Sequence, residues 1–220
     1  QMDADEPNGP ARRIVVGERP SLEAQLANLT DEMAYNAHDI DDGLRSGLLN
    51  MAQVGEVPLF GAHHAAALVE HPHLQGLPER RLLAETLRRL ISAQVADVIA
   101  ATSANLRLHA PAHVQEVRAL PPLVQFTPPM REQVTALKRF LFASLYRHPQ
   151  VAHTTAQARE VVRALFAAYA DAPRQLPDEH HVAYEQIGLR AVADYIAGMT
   201  DRFASREYTR LTARSAFEEH

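Results

Sequence analysis

Between Pro20 and Leu49 the chain reads PSLEAQLANLTDEMAYNAHDIDDGLRSGLL, and in it Leu22, Leu26, Leu29, Met33, Ala37, Ile40, Leu44 and Leu48 recur at steps of three and four. That period is helical. One continuous apolar stripe is therefore expected along a single helix over residues 21–48, opened by Ser21 after Pro20. A stripe of this length has to be buried against other elements, so it commits the rest of the chain to supplying a core. Leu22, Leu29, Met33 and Ile40 are expected inside that core.

On roughly the opposite side of the same helix Asp31, Tyr35 and Asp39 recur at steps of four. Neighbouring turns stack such residues on one face, about 6 Å apart. The order is acid, phenol, acid. Two readings follow from the residues alone: a solvated acidic face, as most charge runs are, or a site. In the second, one carboxylate holds a metal, the hydroxyl meets a ligand oxygen, and the other carboxylate accepts from a ligand hydroxyl.

Composition narrows the class. Of the 220 residues 46% are hydrophobic and 22% charged, with 9 Gly and no Trp, which suits an Ala- and Leu-rich helical protein. The absence of Cys excludes disulfides and thiolate metal sites and fits a reducing cytoplasm. Any metal must then be held by His, Asp or Glu. The net charge of -5 gives no broad nucleic-acid signature. Single-stranded nucleic acid stays as a weaker partner class, approached only by the aromatic and basic stretch Lys138–Tyr146. No apolar run reaches the roughly 20 residues of a bilayer span and no signal pattern opens the chain, so a soluble, cytoplasmic protein with no membrane partner is expected.

Taken in order, residues 1–19 read as a linker or arm entering from an upstream part, and residues 20–220 as the helical body. Gly55, Pro58 and Gly61 break the pattern before a short helix over 62–70. His63, His64, His71 and His73 straddle Pro72 with no i,i+4 His pair, which argues against a metal site there. A second long helix is expected over 78–108, its broad apolar face (Leu82, Leu83, Leu87, Leu90, Ile91, Val95, Val98, Ile99) implying neighbours on two sides. Its Arg80, Arg81, Arg88, Arg89 and Arg107 read as solvated or paired with Glu79 and Glu85. Further helices are expected near 112–119, 130–147 and 155–170, and over 181–211, where Gly198 would allow close packing and Thr200 would cap a last helix from Asp201. The fold class is all-α, a multi-helix bundle with proline-marked connections.

The segment SLEAQLANLTDEMAYNAHDIDDGLRSGL closely resembles a block of the bacterial dGTPase-like deoxynucleotide triphosphohydrolases, members of the HD superfamily. PPLVQFTPPMREQVTALKRFLFASLYRHPQV and VADYIAGMTDRFA resemble later blocks in matching order. The resemblance covers most of the chain from about Pro20 to Leu211 and corresponds to the C-terminal half of such enzymes, in the HD-domain phosphohydrolase type of bundle. It implies hydrolysis of a deoxynucleoside triphosphate to the deoxynucleoside and inorganic triphosphate, with a divalent ion (Mn²⁺ or Mg²⁺, or Fe). It also implies a homo-oligomer. By the same resemblance Asp31 is the last member of an H…HD…D metal set, Tyr35 donates to a phosphate oxygen and Asp39 accepts from the sugar 3′-OH. The His and His-Asp members of that set have no counterpart here, since His38-Asp39 falls within the later block. A chain that opens on Gln1 suits a fragment or a processed product. The expectation is weak metal binding and no triphosphohydrolase activity for this chain alone. The competing class is a non-catalytic helical module for oligomerisation or nucleotide-effector binding.

Overall fold

The computed structural model describes residues 19–76 and 79–216, and every regular element among them is helical. The arm expected over 1–19 lies outside the described residues, apart from Arg19, whose N–H donates to the Arg118 carbonyl at 3.1 Å. The elements are α1 (Leu22–Arg45), α2 (Met51–Gly55), α3 (Pro58–Glu70), α4 (Glu79–His109), α5 (Val114–Ala119), α6 (Pro128–Leu141), α7 (Pro149–Asp171), α8 (Asp178–Ile187), α9 (Leu189–Ala197) and α10 (Asp201–Thr212). Short 3₁₀ turns follow α3 and α7, and a π turn over Phe142–Tyr146 follows α6. The chain divides into two compact units, one ending at Leu145 and the other beginning at Tyr146.

The first unit is built on α1. Met33, Ala37 and Ile40 are buried, and Met33 and Ile40 share one cluster with Phe60 of α3, Leu83 and Leu90 of α4 and Leu137 of α6. Leu22, Leu29, Leu44 and Leu48 pack half-buried against that cluster. Leu26, expected in the stripe near the helix start, is instead 46% exposed, although Leu22 and Leu29 to either side of it in sequence pack on the core. There the buried residue is Gln25, whose Nε2 donates to the Pro20 carbonyl and whose Oε1 accepts from the N–H groups of Leu123 and Val124. The helix also stops before Leu48. Gly47, at φ 74°, takes a left-handed conformation, and the chain folds back so that the Leu49 N–H donates to the Gly43 carbonyl.

α3 starts earlier than residue 62. Pro58 occupies its first turn, where a missing N–H costs nothing, and Gly61 lies inside it. The reason for Gly61 is contact: a Cβ there would stand 2.4 Å from the Gly55 carbonyl oxygen. The Gly198 expectation fares differently, since a Cβ there would come no nearer than 3.6 Å to another atom. Gly198 serves as the C-cap of α9.

α4 carries the broad apolar face expected of it, but only one side is covered. Leu82, Leu83, Leu90 and Val98 are buried, whereas Ile91, Val95 and Ile99 are exposed. Two of its arginines pair with Glu85, as anticipated: Arg88 donates to both Glu85 carboxylate oxygens at 2.9 and 2.7 Å, and Arg89 bridges Glu85 and Glu70 of α3. The Arg88 hydrogen bonds, with those of Arg89, hold the Glu85 carboxyl at a pKa of about 2. α6 begins at Pro128, capped by Thr127, whose N–H and hydroxyl both donate to Asp97 of α4 at 2.8 and 2.6 Å.

In the second unit α7 begins at Pro149, six residues before the expected start, under a His148 cap. Val161, Leu165, Tyr169, Leu176, Val192 and Tyr208 form its core. Thr200 caps α10 as expected, accepting from the Phe203 N–H.

Ile40→Ala is expected to destabilise the first unit by about 2–5 kcal/mol, against no more than about 0.5 kcal/mol for exposed Leu26→Ala, read by urea unfolding. Gly61→Ala is expected to cost about 1–3 kcal/mol by forcing backbone apart. The Glu85 cluster gives a pH signature. A carboxyl held at about 2 in the folded chain, against roughly 4.3 unfolded, stabilises fully above the higher value and loses that contribution as pH falls towards the lower. The Tm difference between the wild type and Glu85→Gln should therefore shrink steadily as pH falls below about 4.3.

Candidate functional site on helix α1

Burial of the Met33, Ala37 and Ile40 side of α1 leaves the Asp31, Tyr35 and Asp39 side facing outward. Asp31 and Tyr35 are exposed, Tyr35 to 60%, and Asp39 is half-buried. The helix geometry gives successive members a separation of about 6 Å along the axis. Ser21 accepts from the Ala24 N–H at the start of the helix, and the Gln25 bonds tie its first turn to the backbone at 123–124. The ladder is thus carried by a rigid element anchored at one end and packed along one side.

Sequence reasoning did not single out the cation beside it. Lys138 of α6 reaches Glu32 at 3.1 Å, and Glu32 sits next to Asp31 and one turn before Tyr35. The two residues are far apart in sequence and meet only because α6 packs beside α1. At the other end of α1, Arg45, Asn50, Met51, Glu79 and Arg80 line a cavity of about 320 Å³ with Leu44, Leu49 and Leu83.

No group of three His, Asp or Glu among the described residues could hold a metal ion. Asp31 offers one or two oxygens where a hard divalent cation takes about six, so these residues do not by themselves make a metal site. His71 lies 3.7 Å from Glu85 and 3.9 Å from Glu70, in reach of ion pairing when protonated. His63 is held below its ordinary pKa by burial and by the nearby Arg89. Neither reading brings histidine to the ladder.

The second unit holds its own polar cluster. The Tyr169 hydroxyl donates to Glu207, which also accepts from Arg210 at 2.7 Å. Burial, and then the bond to Glu207, push the phenol well above its ordinary range, while Arg210 holds Glu207 below the usual carboxylate value. The aromatic rings of Tyr169 and Tyr195 meet edge to face at 5.4 Å. Tyr169 and Glu207 lie in different helices with no shared period, so nothing in the sequence pairs them. No helix among the described residues is long and apolar enough to cross a membrane.

The profile of the phosphohydrolase-associated domain matches residues 124–210. A deoxyguanosinetriphosphate triphosphohydrolase-like protein of Ralstonia nicotianae is 48% identical over 202 residues, covering 92% of this chain and 51% of the relative. One of Thiobacillus denitrificans is 48% identical over 92% of this chain and 53% of the relative. One of Nitrosomonas europaea is 43% identical over 91% and 53%. The chain spans about half the length of the curated relatives it matches. Over nine-tenths of its own length the chain is thus similar to part of the deoxyguanosinetriphosphate triphosphohydrolase-like proteins, and its residues 124–210 match the phosphohydrolase-associated domain.

Proposed function

We propose that this chain is the C-terminal portion of a metal-dependent deoxynucleoside triphosphate triphosphohydrolase, an enzyme that converts a dNTP and water to the deoxynucleoside and inorganic triphosphate. The observation that carries the reading is the outward-facing Asp31, Tyr35 and Asp39 ladder, on a well-anchored helix within the stretch shared with the triphosphohydrolase-like relatives. Asp31 supplies one hard oxygen donor. The His and His-Asp donors that complete the set come from residues outside this chain. A bound Mn²⁺ or Mg²⁺, or Fe, supplies Lewis acidity and a lowered water pKa at the α-phosphate.

The chain's own residues bind and orient the substrate. Tyr35, one turn from Asp31, donates its hydroxyl to a phosphate oxygen. Asp39, a further turn along, accepts from the sugar 3′-OH. The order along the helix then follows the order along the nucleotide, phosphate before sugar. This reading includes a cytoplasmic homo-oligomer as the working form. Among the described residues the chain alone has too few donors for tight metal binding, and it turns over no substrate.

The test is triphosphate release from dGTP with Mn²⁺. It compares the 220-residue chain with a full-length protein that joins it to the part of the Ralstonia nicotianae relative it does not match. Turnover is expected from the joined protein only. In that protein Asp31→Asn should lower turnover by more than about a hundredfold by removing a ligand charge. Tyr35→Phe should lower kcat by roughly a hundredfold with metal content unchanged, and Asp39→Asn should raise KM by about tenfold. Robust, Asp31-dependent turnover by the isolated chain would overturn the division of the site between two parts. Joined-protein turnover indifferent to Asp31→Asn would overturn the ligand assignment.

A further inference from the structure

The uncovered side of α4 carries Ile91, Val95 and Ile99, exposed to 36, 39 and 62%. Steps of four place them one above another on one side of the helix, a stripe about 12 Å long. Single exposed apolar residues are ordinary. Three β-branched ones in register are less so, because branching at Cβ weakens a helix and only packing compensates for it. The other side of the helix is already spent on the core, through Leu82, Leu83, Leu90 and Val98.

We propose that this stripe is the seat of the complementary half of the family's polypeptide, an apolar segment of which lies along Ile91, Val95 and Ile99. The proposal rests on the reading that this chain is one part of a longer enzyme. The occupant follows from two observations. The relatives are about twice as long as the stretch they share with this chain, so a further stretch of polypeptide of similar length exists in them. In addition α4 packs against α1 in the first unit. A body that brings the missing metal donors to Asp31 on α1 therefore has to approach that unit, where an uncovered apolar stripe is waiting to be buried.

The test exploits the absence of cysteine from the chain. Ile99→Cys gives a single thiol whose labelling by a maleimide reports access to the stripe. The 220-residue chain is co-expressed with the part of the Ralstonia nicotianae relative that it does not match, that part carrying an affinity tag. The expected result is co-purification in equal amounts, with labelling of the Ile99→Cys thiol slowed by about tenfold or more in the complex relative to the chain alone. Val95→Glu with Ile99→Glu should abolish co-purification while leaving the circular dichroism of the chain unchanged. Val69→Glu, at an 81% exposed position on α3, should leave the complex intact. If the double variant proves misfolded, the labelling decides.

Three results would overturn the proposal: no complex with the wild-type chain, a complex in which the introduced thiol stays as reactive as before, or a complex that tolerates the folded double variant. Protection that appears in the chain alone as its concentration rises would assign the stripe to a second copy and overturn it equally. Asp31-dependent turnover by the joined Ile99→Cys protein with its thiol still reactive would sink the docking surface and leave the enzyme reading standing. A protected thiol with turnover indifferent to Asp31 would do the reverse.

Discussion

Burial of the Met33, Ala37 and Ile40 side of α1 is the constraint from which the rest of the first unit follows. Full burial of a side chain such as Ile40 or Leu90 stabilises by about 1.5–3 kcal/mol each, and the two share one cluster with Leu137 of α6. A helix packed this way cannot rotate. Turning α1 by one residue, about 100°, would draw ionised side chains towards the core, and burying an unpaired carboxylate costs far more than the apolar contacts return. The outward direction of Asp31, Tyr35 and Asp39 is thus set by residues on the other side of the helix.

Polar groups inside the unit have a second task. The stretch before α6 is not helical, yet Leu123, Val124 and Phe126 in it are buried, so its backbone must find partners away from water. Helical side chains provide them: Gln25 accepts from the N–H groups of Leu123 and Val124, Asn105 donates to the Leu123 carbonyl at 2.9 Å, and Asp97 accepts from the N–H of Thr127. Buried Gln25 on α1 and half-buried Asp97 and Asn105 on α4 fix where an irregular segment lies, and through Thr127 where α6 starts. That in turn sets Lys138 of α6 beside Glu32.

Much of this was legible beforehand, for reasons that differ by feature. The existence of α1, α4, α6 and α7 was readable because their apolar periods run for several turns, and the caps at Ser21 and Thr200 because capping is local chemistry. Proline misled in two places. Pro58 was read as a break and Pro149 lay ahead of the expected start of α7, although both occupy first turns where proline is favoured. Leu26 and the Ile91, Val95, Ile99 stripe show the limit of periodicity, which reports that a face is apolar but not which part of it is covered. The Asp31, Tyr35, Asp39 ladder was visible as a spacing, and its outward placement was implied by the stripe. Lys138 beside Glu32, and Tyr169 with Glu207, were not visible, since each depends on which helices meet.

The two uncovered features of the first unit point the same way for separate physical reasons. Exposed Asp31 is chemically unsaturated as a cation ligand: it holds too few oxygens for a hard cation, and no group of three such donors stands among the described residues. An exposed β-branched stripe is unsaturated in the hydrophobic sense, since its contribution to stability is realised only when something covers it. On the proposed reading one body satisfies both, which couples assembly to chemistry. Closing the apolar contact on α4 would deliver histidine and carboxylate donors to the unit that holds α1. Free energy from burying the stripe would then offset the cost of gathering charged ligands around one cation. A rigid α1 suits this arrangement, because a donor that arrives on a separate body finds Asp31, Tyr35 and Asp39 already in fixed order, with little conformational freedom left to lose.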